Sequence, residues 1–307
     1  MDKIWSELLN RSPTVEELQC HATNDLYAKR NDVLNCPEFQ TSRKPSKKAC
    51  ILICGQVRQL DLCVKNWKEY LDFKNSDVFV SIQDSVCSKN THIYKTDQIE
   101  PPRYLIQPVD TTQATKMFKS VFGFHLKYLH IRPNFEKLVM EQNSSLQILT
   151  NGGWTDVFND LNLVLREILT RAEQYDSFLY FRADVMFPKP VQLYQMPQNT
   201  CSLPGTDVCL QFDKLTANRM VDYYDYLIKE NAHLSTTKIA EDYMKEYIEM
   251  NNIGIIKQDW TIALPVSWLL SNLKVQDFTR VGLFSKSWQI TLQQRCDQLV
   301  ECTFFVC

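Results

Sequence analysis

Residues 50–55 read Cys-Ile-Leu-Ile-Cys-Gly, an unbroken apolar run that ends at a glycine. Side chains alternate between the two faces of a strand, so a run without a polar position predicts a strand that is buried on both faces. Such strands are typical of parallel sheets that carry helices on each side. This stretch therefore predicts the centre of an α/β fold.

The residues that follow complete a strand–helix–strand unit. Leu60, Val64, Trp67 and Leu71 recur at helical spacing, and residues 77–82 read Asp-Val-Phe-Val-Ser-Ile. Two strands joined by one helix favour parallel pairing through a right-handed crossover. Further elements are predicted as strands at 103–107, 177–181 and 253–256 and as helices at 154–172, 214–229 and 237–250. The predicted class is α/β, with a mainly parallel central sheet flanked by helices.

Ligands of open parallel sheets bind outside the carboxyl ends of the strands, and the first such place is the turn Gly55-Gln56-Val57-Arg58. Glycine permits a close backbone approach, and an arginine can hold a phosphate through two hydrogen bonds. The alternative is a tight turn with a solvent-facing arginine. The second place is Asp84, which can accept hydrogen bonds from a ribose or a base edge, or can simply cap a turn.

The third place is Arg182-Ala183-Asp184, which ends an apolar strand. Charged side chains at such a position are costly unless they have partners. One interpretation is an internal ion pair. The other is a metal and diphosphate site, in which Asp184 binds the cation and Arg182 positions a phosphate or a carboxylate.

Two carboxylates in the second half of the chain are candidates for a catalytic base. Asp213 follows an apolar patch and precedes a predicted helix, so it is either a base or a helix N-cap. Glu241 lies near the start of the next predicted helix, where an acidic residue also favours the helix dipole.

Composition excludes several classes of protein. The chain has 34 basic and 36 acidic residues, which argues against a nucleic-acid-binding protein. It contains neither of the common glycine-rich phosphate loops. Its 11 cysteines include no C-x-x-C pair, so we expect free buried thiols in a reducing, cytoplasmic setting. No apolar stretch reaches the length of a membrane span, and no leader peptide is recognisable.

The turn Gly55–Arg58, the strand at 77–80 and the segment 175–185, Tyr-Asp-Ser-Phe-Leu-Tyr-Phe-Arg-Ala-Asp-Val, together resemble a group of bacterial and large-virus glycosyltransferases. Members of that group have a GT-A-like nucleotide-sugar fold. They pair a G-x-x-R turn with a "Y-D-x-(apolar)-x-R-x-D" segment in mid-chain. The resemblance extends over residues 49–260 in order and spacing.

The resemblance implies a hexosyl- or pentosyltransferase that moves a sugar from a UDP- or GDP-sugar to a glycan or glycoprotein acceptor. It assigns Asp213 and Glu241 to catalysis, Asp184 to a Mn²⁺ or Mg²⁺ ion, and the donor nucleotide to Gly55, Gln56, Arg58, Asp84 and Arg182. The family usually binds its metal through D-x-D, whereas Arg182 occupies the first position here. Metal dependence is therefore an open question.

The chain is expected to divide at a polar, basic run. Residues 1–48 are predicted to form a helical extension and linker, and residues 49–307 the catalytic domain, with a nucleotide-binding half at 49–187 and an acceptor half at 188–307. The location expected is the cytoplasm, or the host cytoplasm if the protein is viral. A non-catalytic glycan- or protein-binding domain and a sulfo- or phosphotransferase are the alternative functions.

Overall fold

The structure is a computed structural model, and it covers most of the chain. It describes residues 2–21, 25–57, 60–89, 104–133, 152–203, 208–232, 238–257, 262–265 and 303–306. Within these ranges, no helix combines the length and the apolar character that a membrane span requires.

The strands of the described residues belong to one large and two small sheets. They are β1 (Ala49–Gly55), β2 (Ser76–Gln83), β3 (Ser85–Lys89), β4 (Tyr104–Pro108), β5 (Leu126–Arg132), β6 (Ser177–Arg182), β7 (Thr200–Ser202), β8 (Cys209–Phe212), β9 (Gly254–Ile255), β10 (Ile262–Pro265) and β11 (Thr303–Val306). β3 pairs with β4 and β10 pairs with β11, each in an antiparallel two-stranded sheet.

The helices flank the large sheet or precede it. They are α1 (Asp2–Leu9), α2 (Val15–Cys20), α3 (Leu26–Leu34), α4 (Pro37–Ser42), α5 (Leu60–Tyr70), α6 (Thr111–Phe122), α7 (Gly152–Leu169), α8 (Lys214–Met220), α9 (Tyr223–Lys229) and α10 (Ala240–Met250). The helix predicted at 154–172 is confirmed as α7, while the one predicted at 214–229 is divided into α8 and α9.

The large sheet has seven strands in the order β5-β2-β1-β6-β8-β7-β9. β5, β2, β1 and β6 are parallel, β8 runs antiparallel to β6 and β7, and β7 is parallel to β9. The predicted α/β class with a mainly parallel central sheet flanked by helices is confirmed. The antiparallel strand β8 was not predicted as a strand.

Both faces of β1 are buried, as the apolar run predicts. Ile51 and Ile53 pack in a core that includes Trp67 of α5 and residues of α6. Cys50 and Leu52 face the opposite way, into a core formed with α7, α8, α9 and α10. The molecule is therefore a helix–sheet–helix sandwich, and β1 lies buried in its middle layer.

The strand predicted at 103–107 is present as β4, but it lies outside the large sheet. The position beside β2 is occupied by β5, which pairs with it from Val78↔Leu126 to Gln83↔Arg132. Polar and apolar residues alternate along β5, Leu-Lys-Tyr-Leu-His-Ile-Arg, because it is an edge strand that is only partly buried. A search for continuous apolar runs does not find such a strand.

The N-terminal helices are joined to the opposite edge of the sheet. Asn31 and Asn35, one turn apart on α3, face the free edge of β9. The Ile255 N–H donates to Asn31 Oδ1 (2.8 Å), Asn35 Nδ2 donates to the Ile255 carbonyl (2.8 Å), and the Lys257 N–H donates to Asn35 Oδ1 (2.7 Å). Two side-chain amides thus occupy the place of a neighbouring strand.

The polar run before β1 is also fixed to the domain. The carboxylate of Asp176 accepts hydrogen bonds from the Ser46 hydroxyl and from the Lys47 and Lys48 N–H groups. The Lys48 ammonium lies 3.2 Å from the carboxylate of Asp77. Composition favours simple solvation of these lysines, whereas Lys48 has an acidic partner.

Candidate active site

The register of the parallel strands brings most of the predicted ligand residues to one edge of the sheet. Gly55 at the end of β1 pairs with Ile82, and Cys54 pairs with Arg182 of β6. Gln83 at the end of β2 pairs with Arg132 of β5. Gly55, Gln56, Asp84, Arg182 and Asp184 therefore all lie at or just beyond the carboxyl ends of neighbouring strands.

Gly55 occupies a position that requires glycine. Its φ is +95°, in the region that side chains disfavour, and a Cβ there would lie 3.1 Å from Cγ2 of Val157. Val157 is in the second turn of α7, so the absence of a side chain at Gly55 lets α7 approach the end of β1. The start of α7 therefore lies close to this edge of the sheet.

The remainder of this turn is described in part. Gln56 is buried, and α5 begins at Leu60. Arg58 lies outside the described residues, so its predicted phosphate contact stays a prediction.

The segment after β6 is fixed by hydrogen bonds to β1 and α5. The Ala183 N–H donates to the Cys54 carbonyl (2.8 Å), and Trp67 Nε1 donates to the Val185 carbonyl (2.6 Å). The side-chain amide of Asn66 donates to the Phe187 carbonyl and accepts from the Phe187 N–H, at 2.8 and 2.7 Å. The backbone that carries Arg182 and Asp184 is thus held in one conformation.

Arg182 and Asp184 form a bidentate ion pair. Arg182 Nε lies 2.8 Å from Asp184 Oδ1, and a terminal nitrogen of Arg182 lies 3.0 Å from Oδ2. The Asp184 side chain is 5% exposed and the Arg182 side chain 20%. Arg182 therefore presents positive charge at the edge, while Asp184 lies beneath it and orients it.

A divalent cation does not fit this arrangement. Both carboxylate oxygens of Asp184 are engaged by Arg182, so a cation would have to displace the guanidinium. Across the described ranges there is no cluster of three or more His, Cys, Asp or Glu residues that could hold a metal ion. The metal role of Asp184 stays a prediction.

Asp84 lies in a cleft of about 680 Å³ between α6 and the ends of β2 and β5. Its N–H donates to the Arg132 carbonyl, and its carbonyl accepts from the Val109 N–H, both at 2.8 Å. Lys116 and Lys119 of α6 and Thr112 contribute to the opposite wall. The volume is within the usual range for a small-molecule site, and the cleft offers both carboxylate and ammonium groups to a ligand.

A buried polar cluster that sequence analysis missed lies directly beneath this cleft. Asp160 of α7 is fully buried and accepts from Arg132 Nε (2.7 Å) and from a second Arg132 nitrogen (2.9 Å). It also accepts from Ser81 Oγ (2.6 Å) and Gln83 Nε2 (3.2 Å). Burial raises the pKa of Asp160, and these hydrogen bonds oppose that rise. The signal in the sequence was a charged residue on the apolar face of α7.

Asp213 lies far from the other predicted residues. It follows β8, which runs antiparallel to β6, and therefore sits near the start of β6, whereas Asp184 follows the end of that strand. The length of β6 puts roughly 17 Å between them. The Asp213 carboxylate caps α8, accepting from the N–H groups of Leu215 (2.9 Å), Thr216 (3.1 Å) and Thr200 (3.1 Å).

Glu241 is exposed in the first turn of α10. The Ile239 N–H at that end is satisfied by Asp242, which accepts from it at 3.1 Å. The position of Glu241 matches the helix-dipole interpretation, and its assignment to catalysis stays a prediction. The structure thus brings five of the predicted residues to one edge of the sheet and places Asp213 at the other end of β6.

Comparison with solved structures finds glycosyltransferases, each with low overall similarity to this chain. The apo form of the glycosyltransferase GlyE of Streptococcus pneumoniae TIGR4 matches 68% of this chain at 7% identity and a TM-score of 0.38; this chain covers 45% of GlyE, less than half its length. The PaToxG glycosyltransferase matches 84% of this chain and is itself covered to 82%, at 11% identity and a TM-score of 0.31. The mannosyltransferase Ktr4p of S. cerevisiae matches 98% and is covered to 77%, at 12% identity and a TM-score of 0.25.

Sequence comparisons yield no relatives: no protein-family model matches the chain, and no curated protein matches it.

Proposed function

We propose that this protein is a glycosyltransferase that moves a hexosyl or pentosyl group from a UDP- or GDP-sugar to a glycan or glycoprotein acceptor. The observation that carries the proposal is the convergence of Gly55, Asp84 and the Arg182–Asp184 pair at the carboxyl edge of a parallel sheet, where ligands of such sheets bind. The sequence resemblance points to the same function, since its motifs include Gly55, Arg182 and Asp184.

Each group has a role in this proposal. The tight turn at Gly55 and the start of α7 offer backbone N–H groups to the donor's diphosphate. Arg182 provides positive charge for the nucleoside diphosphate that leaves when the sugar–phosphate bond breaks. Asp84 accepts hydrogen bonds from the nucleoside in the adjoining cleft. A Mn²⁺ or Mg²⁺ ion at Asp184 would have to displace Arg182 from both carboxylate oxygens before it could add charge at the same diphosphate.

Calorimetric titration with UDP, GDP and 3′-phosphoadenosine 5′-phosphate, each with Mn²⁺ and with a chelator, tests this proposal. We expect UDP or GDP to bind, and Arg182→Gln to weaken that binding. Arg171→Gln is the matched control, because Arg171 contacts Glu167 and the Lys127 carbonyl at the opposite end of the sheet. Binding of the 3′-phosphoadenosine compound alone would favour a sulfotransferase instead.

A non-catalytic binding domain is the second candidate function. It is favoured by the ion pair in which Arg182 engages both carboxylate oxygens of Asp184. A carboxylate with both oxygens engaged by a guanidinium is a settled structural ion pair in many proteins. This candidate predicts that UDP- and GDP-sugars are neither bound nor consumed, whereas a transferase releases the nucleoside diphosphate even by slow hydrolysis of the donor.

A further inference from the structure

The buried cluster around Asp160 is unusual for its position in the fold. The face of α7 that packs on the sheet is otherwise apolar, with Val157, Leu161 and Val164 on either side of Asp160. A buried ion pair contributes little stability compared with well-packed apolar side chains, because both charges lose their hydration. General stability is therefore a weak explanation for an aspartate at this site.

The hydrogen bonds of Asp160 converge on the residues that hold Asp84. One of its donors, Gln83, is the residue immediately before Asp84 in the chain. Another, Arg132, provides the backbone carbonyl that accepts the Asp84 N–H at 2.8 Å. Asp160 thus holds the side chains of two residues whose backbone positions Asp84. Gln83 precedes Asp84 in the chain, and the Arg132 carbonyl accepts the Asp84 N–H.

Burial makes this arrangement rigid. The Asp160 side chain is fully buried and that of Arg132 is 10% exposed. The bidentate geometry leaves the guanidinium no freedom to rotate without losing a hydrogen bond. Asp84, by contrast, is half-buried and lines the cleft, and its Oδ1 accepts one hydrogen bond from Ser85 Oγ (3.0 Å). The buried cluster is a rigid support beneath the cleft, and Asp84 is the cleft residue that it positions.

We propose that Asp160 is a positioning residue, which acts through Arg132 and Gln83 to hold the Asp84 carboxylate in the orientation that receives the ligand of the cleft. This inference rests on the proposed function for the identity of that ligand, a nucleoside diphosphate. The orientation of Asp84 itself does not depend on any ligand, so it is measurable in the free protein.

The test is Asp160→Asn, which keeps the shape of the side chain and removes its charge. We expect hydrogen exchange of the Asp84 amide to accelerate by about tenfold, because its acceptor is loosened. We expect UDP or GDP affinity to fall by about tenfold as well, and Asp84→Asn to bring no further loss when combined with Asp160→Asn, since coupled residues are not additive. If Asp160→Asn does not fold, Arg132→Lys carries the same measurements, because it keeps the charge and loses the second hydrogen bond.

Asp77→Asn is the matched control. Asp77 is a buried, ion-paired aspartate on the same strand as Gln83, but at the opposite end. Asp77→Asn should lower the melting temperature without selectively accelerating hydrogen exchange of the Asp84 amide. The proposal is overturned if Asp160→Asn also lowers only the melting temperature, or if its effect adds fully to that of Asp84→Asn. Absence of nucleotide binding in the wild type would refute the proposed function, while the exchange measurement would still decide the role of Asp160.

Discussion

Arg182 donates hydrogen bonds to both carboxylate oxygens of Asp184, at 2.8 and 3.0 Å, so the residue predicted to bind the donor nucleotide binds the residue predicted to hold the metal. The spacing R-x-D places the two side chains on either side of a turn that starts at the end of β6, where the Val185 N–H donates to the Arg182 carbonyl (2.9 Å). This turn lets Arg182 and Asp184, two residues apart, form an ion pair.

The first prediction concerns this pair. Asp184→Asn should lower the free energy of unfolding by about 3 kcal/mol, because it leaves a largely buried guanidinium without its counter-ion. Adding Arg182→Gln to Asp184→Asn removes the unpaired charge and should recover part of the lost stability. Urea unfolding of the wild type and of these two variants measures the change. An Asp184→Asn protein with wild-type stability that loses only Mn²⁺-dependent nucleotide binding would instead establish Asp184 as the metal ligand.

The second prediction concerns Gly55. Gly55→Ala should destabilise the protein by about 2 kcal/mol, because it combines a positive φ with a close contact to Val157. Gly123→Ala is the control, since Gly123 also has a positive φ (+51°) but a Cβ there would meet no atom within 4 Å. Val157→Ala should reduce the cost of Gly55→Ala in thermal melts. Equal costs at Gly55 and Gly123 would exclude a role for the close contact.

The third prediction separates structure from catalysis at Asp213. Asp213→Ala should cost about 2 kcal/mol of stability, because three N–H groups lose a buried acceptor. Asp25→Ala removes an exposed cap that accepts one hydrogen bond, from the Ala28 N–H, and should cost about 1 kcal/mol. Neither change should alter nucleotide affinity or turnover. A turnover defect in a stable Asp213→Ala protein would restore Asp213 as a candidate base.

The fourth prediction is a dependence of stability on pH. Burial alone would raise the pKa of Asp77, but the Tyr175 hydroxyl (2.9 Å) and the ammonium groups of Lys48 and Lys127 outweigh it, so its pKa is lowered. A lowered pKa means that the stabilisation is present in full above the unfolded-state value of about 3.9 and is lost as the pH falls below it.

Asp77→Asn should therefore destabilise the protein at pH 7 and approach the wild type in stability near pH 3. Tyr175→Phe should show the same trend with a smaller amplitude, since it removes one hydrogen bond and keeps the ring. The free energy of unfolding in urea, measured across this pH range, gives the result. A constant difference between the wild type and Asp77→Asn at all pH values would contradict the assigned cause.

The fifth prediction concerns the edge of the sheet. Replacing Asn31 and Asn35 together by Ala leaves the N–H groups of Ile255 and Lys257 and the carbonyl of Ile255 without side-chain acceptors and donors. We expect lower stability and concentration-dependent association, because an open strand edge pairs with other strands. Light scattering after gel filtration detects it. Asn218→Ala, an exposed change on α8, should remain like the wild type.

Much of the fold could be predicted because its central strands are apolar throughout. The runs at 50–54 and 177–181 have one interpretation, and β1 and β6 follow from them. β5 and β8 were not predicted as strands, because polar residues interrupt β5 as in an exposed segment and β8 is only four residues long. Antiparallel pairing of β8 with β6 reverses the chain, and this reversal is what carries Asp213 to the wrong end of the sheet for a joint site with Asp184.

The site was partly predictable for a related reason. Residues that directly follow an apolar strand, such as Asp84 and Arg182, can be placed from the sequence, because the strand determines their edge. Asp160 and Arg132 are 28 residues apart and belong to a helix and an edge strand, so no local spacing connects them. Their pairing depends on how α7 lies across the sheet, which only the tertiary structure determines.

The amide contacts between α3 and β9 join parts of the chain that are made at very different times. Asn31 and Ile255 are 224 residues apart, which corresponds to roughly 10–45 s of synthesis at typical rates. During that interval α3 has been produced but its partner strand has not, and Leu34, which becomes fully buried, lacks Ile256 of the core cluster to which both belong. The helix that is synthesised earlier thus reaches its final contacts only after β9 has been made.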